Sequence, residues 1–408
     1  VFADMPVRRV FVAVVLLLIT VVLYLLWPIY GFVAESNALL RKPWAWETVP
    51  VANSCQLSNV AAAFKVEADQ ACSLLLARQE RIRMPSISAA VAIDGGLVWS
   101  AAVGWSNLRD KVLATPETLY RIGSTSKPVT GTLLARMIDA GLVKLDEPAS
   151  EYDDALPNPA WSQLTLRQLA SHTAGLPEYE TNRDFLGVYH TMALRRPHGN
   201  VRQGLGLFDD NPLRYLPGSN FEYSSFDTLL IANLLQSAGQ QPFESLVQEW
   251  VLEPLSLRTP VRDHPAPERA SFYQLDGNRA QLWRPVDLSN KLPGGGFTAR
   301  PEDLANLGSA WLDPDFIDPQ TRKQFWLPQK LNNGEVNEQS YALTWRWNES
   351  DHYAHHGGVS KGSMAWLAAY PEHSLVIAMA TNTTLERFSD FAGLQTSIVE
   401  LFTARQRQ

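Results

Sequence analysis

Residues 121–131, RIGSTSKPVTG, place Ser124 three positions before Lys127 at the start of a stretch with helical periodicity. Residues three apart on a helix share a face, so the ammonium can reach the hydroxyl. A serine hydroxyl is a weak nucleophile alone, and an adjacent amine can take its proton. The first turn of a helix also offers backbone N–H groups that would stabilise an oxyanion. A plainer reading uses the same residues: Ser124 or Ser126 caps the helix and Lys127 is solvated. No other lysine has a serine three positions before it, yet the spacing alone does not choose between nucleophile and cap.

Two rival motifs lie near the other end. GVSKG, residues 358–362, fits a G-x-S-x-G elbow with Ser360 as nucleophile, which needs a strand before it, a helix after it, and an acid and a histidine downstream. The following residues read as strands. The only later histidine is His373, with no Asp between it and Ser360. HYAHH, residues 352–356, has histidine spacings that could bind a metal. It lacks a second group of Cys, Asp or Glu in a fitting place, so no metal and no cofactor is expected.

The elements that must position these residues follow from pattern. Val10 to Ala34 is uncharged, and about 25 residues at about 1.5 Å each cross a hydrocarbon core of roughly 30 Å. Arg8 and Arg9 precede it, and Tyr24, Trp27 and Tyr30 cluster toward its far end. This predicts a single-pass inner-membrane anchor over 10–34, residues 1–9 cytoplasmic, and the rest of the chain periplasmic. The competing reading is a cleaved signal with SNA at 36–38 as the processing site. Residues 35–57 read as a juxtamembrane linker and 58–408 as the functional domain. Cys55 and Cys72 lie beyond the apolar segment and can either pair or remain buried thiols.

Within the domain a helix is expected from about Val60 to Arg83. SISAAVAI and LVWSAAVGW around DGG read as a strand hairpin. Residues 129–152 are helical up to Gly141, a natural residue for ending a helix. A long middle section is mostly helical. YALTWRW, SMAWLAAYP and HSLVIAMATN read as three closing strands, before a last helix from about Ser389 to Arg405. Strands at both ends with helices between them imply one sheet assembled from both termini, with a helical lobe inserted. A net charge of −7 and no Lys/Arg block argue against a nucleic-acid partner.

Several stretches carry a resemblance to a known family. LYRIGSTSKPVTGTLLARMIDAGLVKLDEPASEY, LTLRQLASHTAGLP, YLPGSNFEYSSFDTLLIANLL, GGGFTARPEDLANLGSAW and HHGGVSKGSMAWLAAYPEHSLVIAMATN occur in that order. From about residue 60 to 405 the chain resembles the serine beta-lactamase and penicillin-binding-protein superfamily, its class C-like branch in particular. Within the superfamily, FYQLDGNRAQLWRPVDLSNKLPGGGF at 272–297 and Tyr-Ser-Ser at 223–225 resemble the mitochondrial serine beta-lactamase-like proteins and their bacterial relatives. The resemblance implies an α/β (α+β) fold with an antiparallel sheet, flanking helices and an inserted helical lobe.

It also implies roles. Ser124 would be the nucleophile, Lys127 its proton partner, Tyr223 the second general acid/base and His355 the third-motif residue beside Gly357. The backbone N–H groups of Ser124 and Gly358 would form the oxyanion hole. His172 reads as structural, tying down the SHTAGLP turn. Two departures matter. Ser225 stands where most members carry Asn, and His355 where true beta-lactamases carry Lys; an imidazole is mostly neutral at pH 7. The implied activity is acyl-enzyme hydrolysis of a small peptide amide, including D-residue peptides, or of an ester. The alternatives are a weak beta-lactamase and a catalytically idle scaffold. The resemblance leaves room for homo-oligomers.

Overall fold

The computed structural model describes residues 7–36, 43–259 and 262–406. Residues 1–6 of the expected cytoplasmic segment and residues 37–42 of the expected linker lie outside the described residues. Helix α1 (Val7–Ser36) carries the apolar stretch, with Pro28 inside it. The part apolar enough to cross a membrane runs from Arg9 to Ala34. Its last turns rest on the rest of the protein: Arg195 lies 5.9 Å over the Tyr24 ring and Lys361 4.9 Å over the Phe32 ring.

The main sheet takes strands from both chain ends. They are β1 (Cys55–Val60), β2 (Ser86–Ile93), β3 (Gly96–Asn107), β4 (Arg346–Asn348), β5 (Tyr353–Ser360), β6 (Ser363–Tyr370) and β7 (Leu375–Thr381), in the spatial order β4-β5-β6-β7-β2-β3-β1. Every pairing along this order is antiparallel. The central strands are buried on both faces, which is why SISAAVAI reads as a continuous apolar run rather than an alternating one. One face, with Ile87, Ala89, Val91 and Ile377, packs on α2 (Lys65–Ile82) and on the C-terminal helix Leu394–Gln406. The other, with Ala90, Ala92, Leu367 and Val376, packs on the helical lobe.

Two helices matter for the site. Helix α3 (Ser126–Asp139) runs through the core, and Gly141, at φ +72°, follows its end as expected. Helix α4 (Ser225–Gly239) is capped by the Ser224 hydroxyl, which accepts from the Phe226 N–H.

Three expectations shift. The predicted helix from Val60 begins only at Lys65, because Cys55–Val60 pairs with β3 as the sheet's last strand. Its sequence, CQLSNV, carries no apolar run because the strand buries no side chain fully. The stretch read as a linker is therefore partly structural: Trp46–Thr48 also pairs, with Arg279–Leu282. YALTWRW supplies only its last residues to a strand; Tyr341 to Trp345 are wholly buried as irregular chain. Cys55 and Cys72 are joined as a disulfide, stapling β1 to α2.

Candidate active site

The cap reading of RIGSTSKPVTG does not hold. Ser124 lies in a 3₁₀ turn, Gly123–Thr125, that runs into α3, and no side chain caps either element. The Ser126 hydroxyl instead accepts from the Phe297 N–H at 3.3 Å. Ser124 lines a cleft of about 380 Å³. Lys127 is wholly buried, with its Nζ 3.5 Å from Ser124 Oγ and 3.0 Å from the Gly294 carbonyl.

Glycines make room for this arrangement. Gly123 has φ +52°, and a Cβ there would meet the Val359 backbone at 2.5 Å. A Cβ on Gly358 would fall 1.9 Å from the Ile122 carbonyl. The Gly123–Thr125 turn and β5 are thus pressed backbone to backbone, which only glycine permits at these two positions.

Tyr223 precedes the cap of α4, so the helix start fixes its place. Its ring centroid lies 4.6 Å from Lys127 Nζ. Ser225 is the first residue of α4, and its N–H donates to Glu178 Oε2 at 2.6 Å. The carboxylate therefore bonds to the helix start beside the short side chain that replaced Asn. Burial raises the Glu178 carboxyl above its ordinary range.

The two histidines of β5 point to opposite faces, as successive strand residues must. His355, expected in the site, stacks on Trp366 at 4.9 Å and pairs across the ladder with Arg346. His356, not singled out in the sequence, turns inward: its Nε2 is 3.0 Å from the Tyr341 hydroxyl and its Nδ1 2.8 Å from the Gly357 carbonyl. Both rings line the cleft. Burial holds the His355 imidazole down to about 4 and the His356 imidazole well below its ordinary range. Both are neutral at pH 7, so the third-motif position carries no positive charge.

The cation that sequence reasoning missed is Arg346. Its guanidinium lies 4.9 Å over the Tyr341 ring and 5.8 Å over the Tyr223 ring, and donates to Gln339 Oε1 at 2.7 Å. It lines the cleft beside Ser124. The signal was faint, one Arg in a Trp-flanked strand nine residues before His355. Ser360 ends β5, and Lys361–Gly362 turn directly into β6, so the elbow's required helix is absent. Among the described residues no group of three His, Cys, Asp or Glu could hold a metal.

A family model described as Beta-lactamase matches residues 73–395. The chain belongs to the beta-lactamase family. Among curated members, human mitochondrial serine beta-lactamase-like protein LACTB is 25% identical, over 81% of this chain and 75% of its own length. Protein flp of Staphylococcus aureus (strain MW2) is 23% identical, over 74% of this chain and 60% of its own. Of solved structures, the D-amino acid amidase of Ochrobactrum anthropi superposes with TM-score 0.69 at 19% identity, covering 84% of this chain and all of that one. The octameric penicillin-binding protein homologue of Pyrococcus abyssi gives 0.67 at 18% identity, covering 82% and 77%. These likenesses establish the beta-lactamase-like fold, and the family match places the chain among the serine beta-lactamase-like hydrolases as a family.

The half-buried imidazole of His355, desolvated against Trp366, has a measurable consequence. In the unfolded chain it takes a proton near pH 6.5; in the folded protein only near 4. Between those values the unfolded state binds more protons, so this residue's contribution falls as the pH falls, and it is fully absent as a cost above about 6.5. The unfolding free energy of the wild type minus that of His355→Gln should drop on the order of 1 kcal/mol per pH unit from about 6.5 to 4. Urea titrations of both proteins at pH 7.5, 6 and 4.5 read this, and a difference independent of pH contradicts it.

Proposed function

We propose that this chain is a membrane-anchored serine hydrolase working through an acyl-enzyme on Ser124. The observation that carries the reading is a wholly buried lysine with its Nζ facing Ser124 Oγ and packed on the Tyr223 ring, in a turn where no serine caps the helix. Ser124 Oγ forms the bond to the substrate carbonyl carbon while its proton passes to the Lys127–Tyr223 pair. Tyr223 then returns a proton to the leaving nitrogen or oxygen as that bond breaks. Water, deprotonated by the same pair, repeats the sequence on the ester and frees Ser124. No cofactor enters.

The third-motif role passes from His355 to His356, whose ring faces Tyr341 and the site's interior. With the three-residue spacing from histidine to donor kept, this one-residue step along β5 moves the second oxyanion donor from the Gly358 N–H to that of Val359, whose backbone lies against Gly123 in the turn that carries Ser124. Gly357 and Gly358 serve by being bare: a Cβ on Gly357 would meet Phe388 at 2.7 Å.

The helix α1 anchors the protein, with the N-terminus cytoplasmic and the domain in the periplasm. The Cys55–Cys72 bridge supports a compartment that permits disulfides. The octameric homologue supports homo-oligomers.

The substrate class follows from Arg346. A cation beside the group that protonates the leaving atom favours a leaving group carrying a carboxylate. The substrate is then a small peptide cut before its C-terminal residue, or an ester of a carboxylate-bearing alcohol; D-residues fit the amidase neighbour. The same cation favours beta-lactams, which carry a carboxylate, as slow substrates. An N-acyl dipeptide with a free C-terminus should be cleaved with a KM about ten- to a hundredfold lower than its C-terminal amide. Arg346→Met should erase that preference, and nitrocefin assayed alongside reads the beta-lactam arm. Equal cleavage of acid and amide by the wild type would remove Arg346 from the account.

A further inference from the structure

Beneath Tyr223 lies a buried pair that no step above uses. His172 and Asp227 have side chains 2% and 1% exposed, with His172 Nδ1 2.7 Å from Asp227 Oδ2. His172 has φ +60°, a left-handed backbone conformation that residues other than glycine adopt at a cost. This residue touches the segment carrying Tyr223 at several points. The Glu222 N–H donates to the His172 carbonyl at 3.0 Å, and the Tyr215 hydroxyl to the same oxygen at 3.3 Å. The Ser224 N–H points at His172 Nδ1 from 3.4 Å. The residues immediately before and after Tyr223 are therefore both held by one histidine. Its ring packs 4.4 Å from that of Tyr223 and 4.6 Å from that of Tyr341, centroid to centroid.

We propose that His172, oriented by Asp227, is a positioning residue for Tyr223, holding the phenol where it hands a proton to the leaving group. The inference rests on Tyr223 having that role.

The pair works as a neutral brace. Nδ1 makes its short contact, 2.7 Å, with Asp227 Oδ2 and a longer one, 3.4 Å, with the Ser224 N–H, so a single proton between Nδ1 and the carboxyl joins the pair whichever of the two carries it. Burial favours the neutral forms, pushing the Asp227 carboxyl well above and the His172 imidazole well below their ordinary ranges. A misplacement of about 1 Å in a group that must meet the leaving atom can cost on the order of 10²-fold. A turn-tying residue alone would affect folding and leave the chemistry of folded molecules unchanged.

The discriminating readout is the ratio of the acylation rate, read as first-turnover release of the nitroaromatic group, on an N-acyl p-nitroanilide to that on the matching p-nitrophenyl ester. The anilide nitrogen must be protonated to leave, whereas p-nitrophenolate departs without help. Rates are normalised to the molecules that react with a fluorophosphonate, which expels fluoride without a proton, so unfolded protein drops out. Asp227→Ala should lower the anilide rate about 100-fold and the ester rate less than about fivefold. Asp227→Asn, whose side-chain amide can donate to Nδ1 or accept from it, should restore the ratio to within about threefold of wild type. Equal losses on both substrates in Asp227→Ala, or an unchanged ratio, overturn the proposal. Tyr223→Phe is the control: if it leaves the ratio unchanged, the Tyr223 assignment itself fails, whatever Asp227 does. If the wild type never labels, the hydrolase reading fails first.

Discussion

Replacing Ser124 with Ala should lower turnover of any substrate by on the order of 10⁴- to 10⁶-fold while leaving the fold intact. The residue sits on the rim of an open cleft and caps nothing. Its loss therefore removes a nucleophile and only the long 3.5 Å contact from Lys127, whose Nζ keeps its shorter bond to the Gly294 carbonyl. In serine hydrolases, deletion of the nucleophile alone costs about as much as deletion of its partners together. Lys127→Ala should approach the same rate, with the added penalty of a cavity where a wholly buried side chain bonded to the Gly294 carbonyl. The pair is then non-additive: the double variant is no slower than either single one. Steady-state rates together with thermal melts separate the outcomes. A Ser124→Ala protein that keeps more than a tenth of its activity would remove Ser124 from the mechanism.

Tyr223→Phe should be the next largest effect, about 10²- to 10⁴-fold on an amide, the range typical of a lost general acid/base. The ring stays, so its packing against Lys127 and His172 persists and stability should change little. Ester hydrolysis with a good leaving group should fall much less in acylation. A uniform loss on amides and activated esters would instead assign Tyr223 to binding.

How much of this was legible without coordinates differed by element. SISAAVAI, SMAWLAAYP and LVIAMAT carry continuous apolar runs because both of their faces are covered, and their strands appear where the pattern places them. CQLSNV lies at the margin of the sheet, buries no side chain fully, and so carries no run to read. The family fold and the order of its motifs were readable from Ser124, Lys127 and Tyr223 with their neighbours. Which of the two adjacent histidines turns toward Tyr341 was not. Two adjacent histidines differ only in which face of a strand they occupy, and a one-residue step in register exchanges them. That register is set by the pairing of β5 with β6, Gly357 opposite Trp366 and Gly358 opposite Ala365. Arg346 was hidden for a related reason: its importance lies in reaching Tyr223 and Tyr341 from a neighbouring strand, a contact that no local spacing encodes. His172 was read as a turn-holding residue, and it does hold one; its ring contact with Tyr223 depends on a helix that starts fifty residues later.

The central claim is that Ser124 is an activated nucleophile. Its most direct test is the intact mass of the full chain in detergent after exposure to a fluorophosphonate, followed by peptide mapping. The account predicts one adduct per chain, on Ser124, formed at least about 100-fold more slowly in Lys127→Ala. An adduct on Ser360, or none at all from a folded protein that also ignores penicillins, would contradict it and leave a beta-lactamase fold kept for a purpose other than hydrolysis.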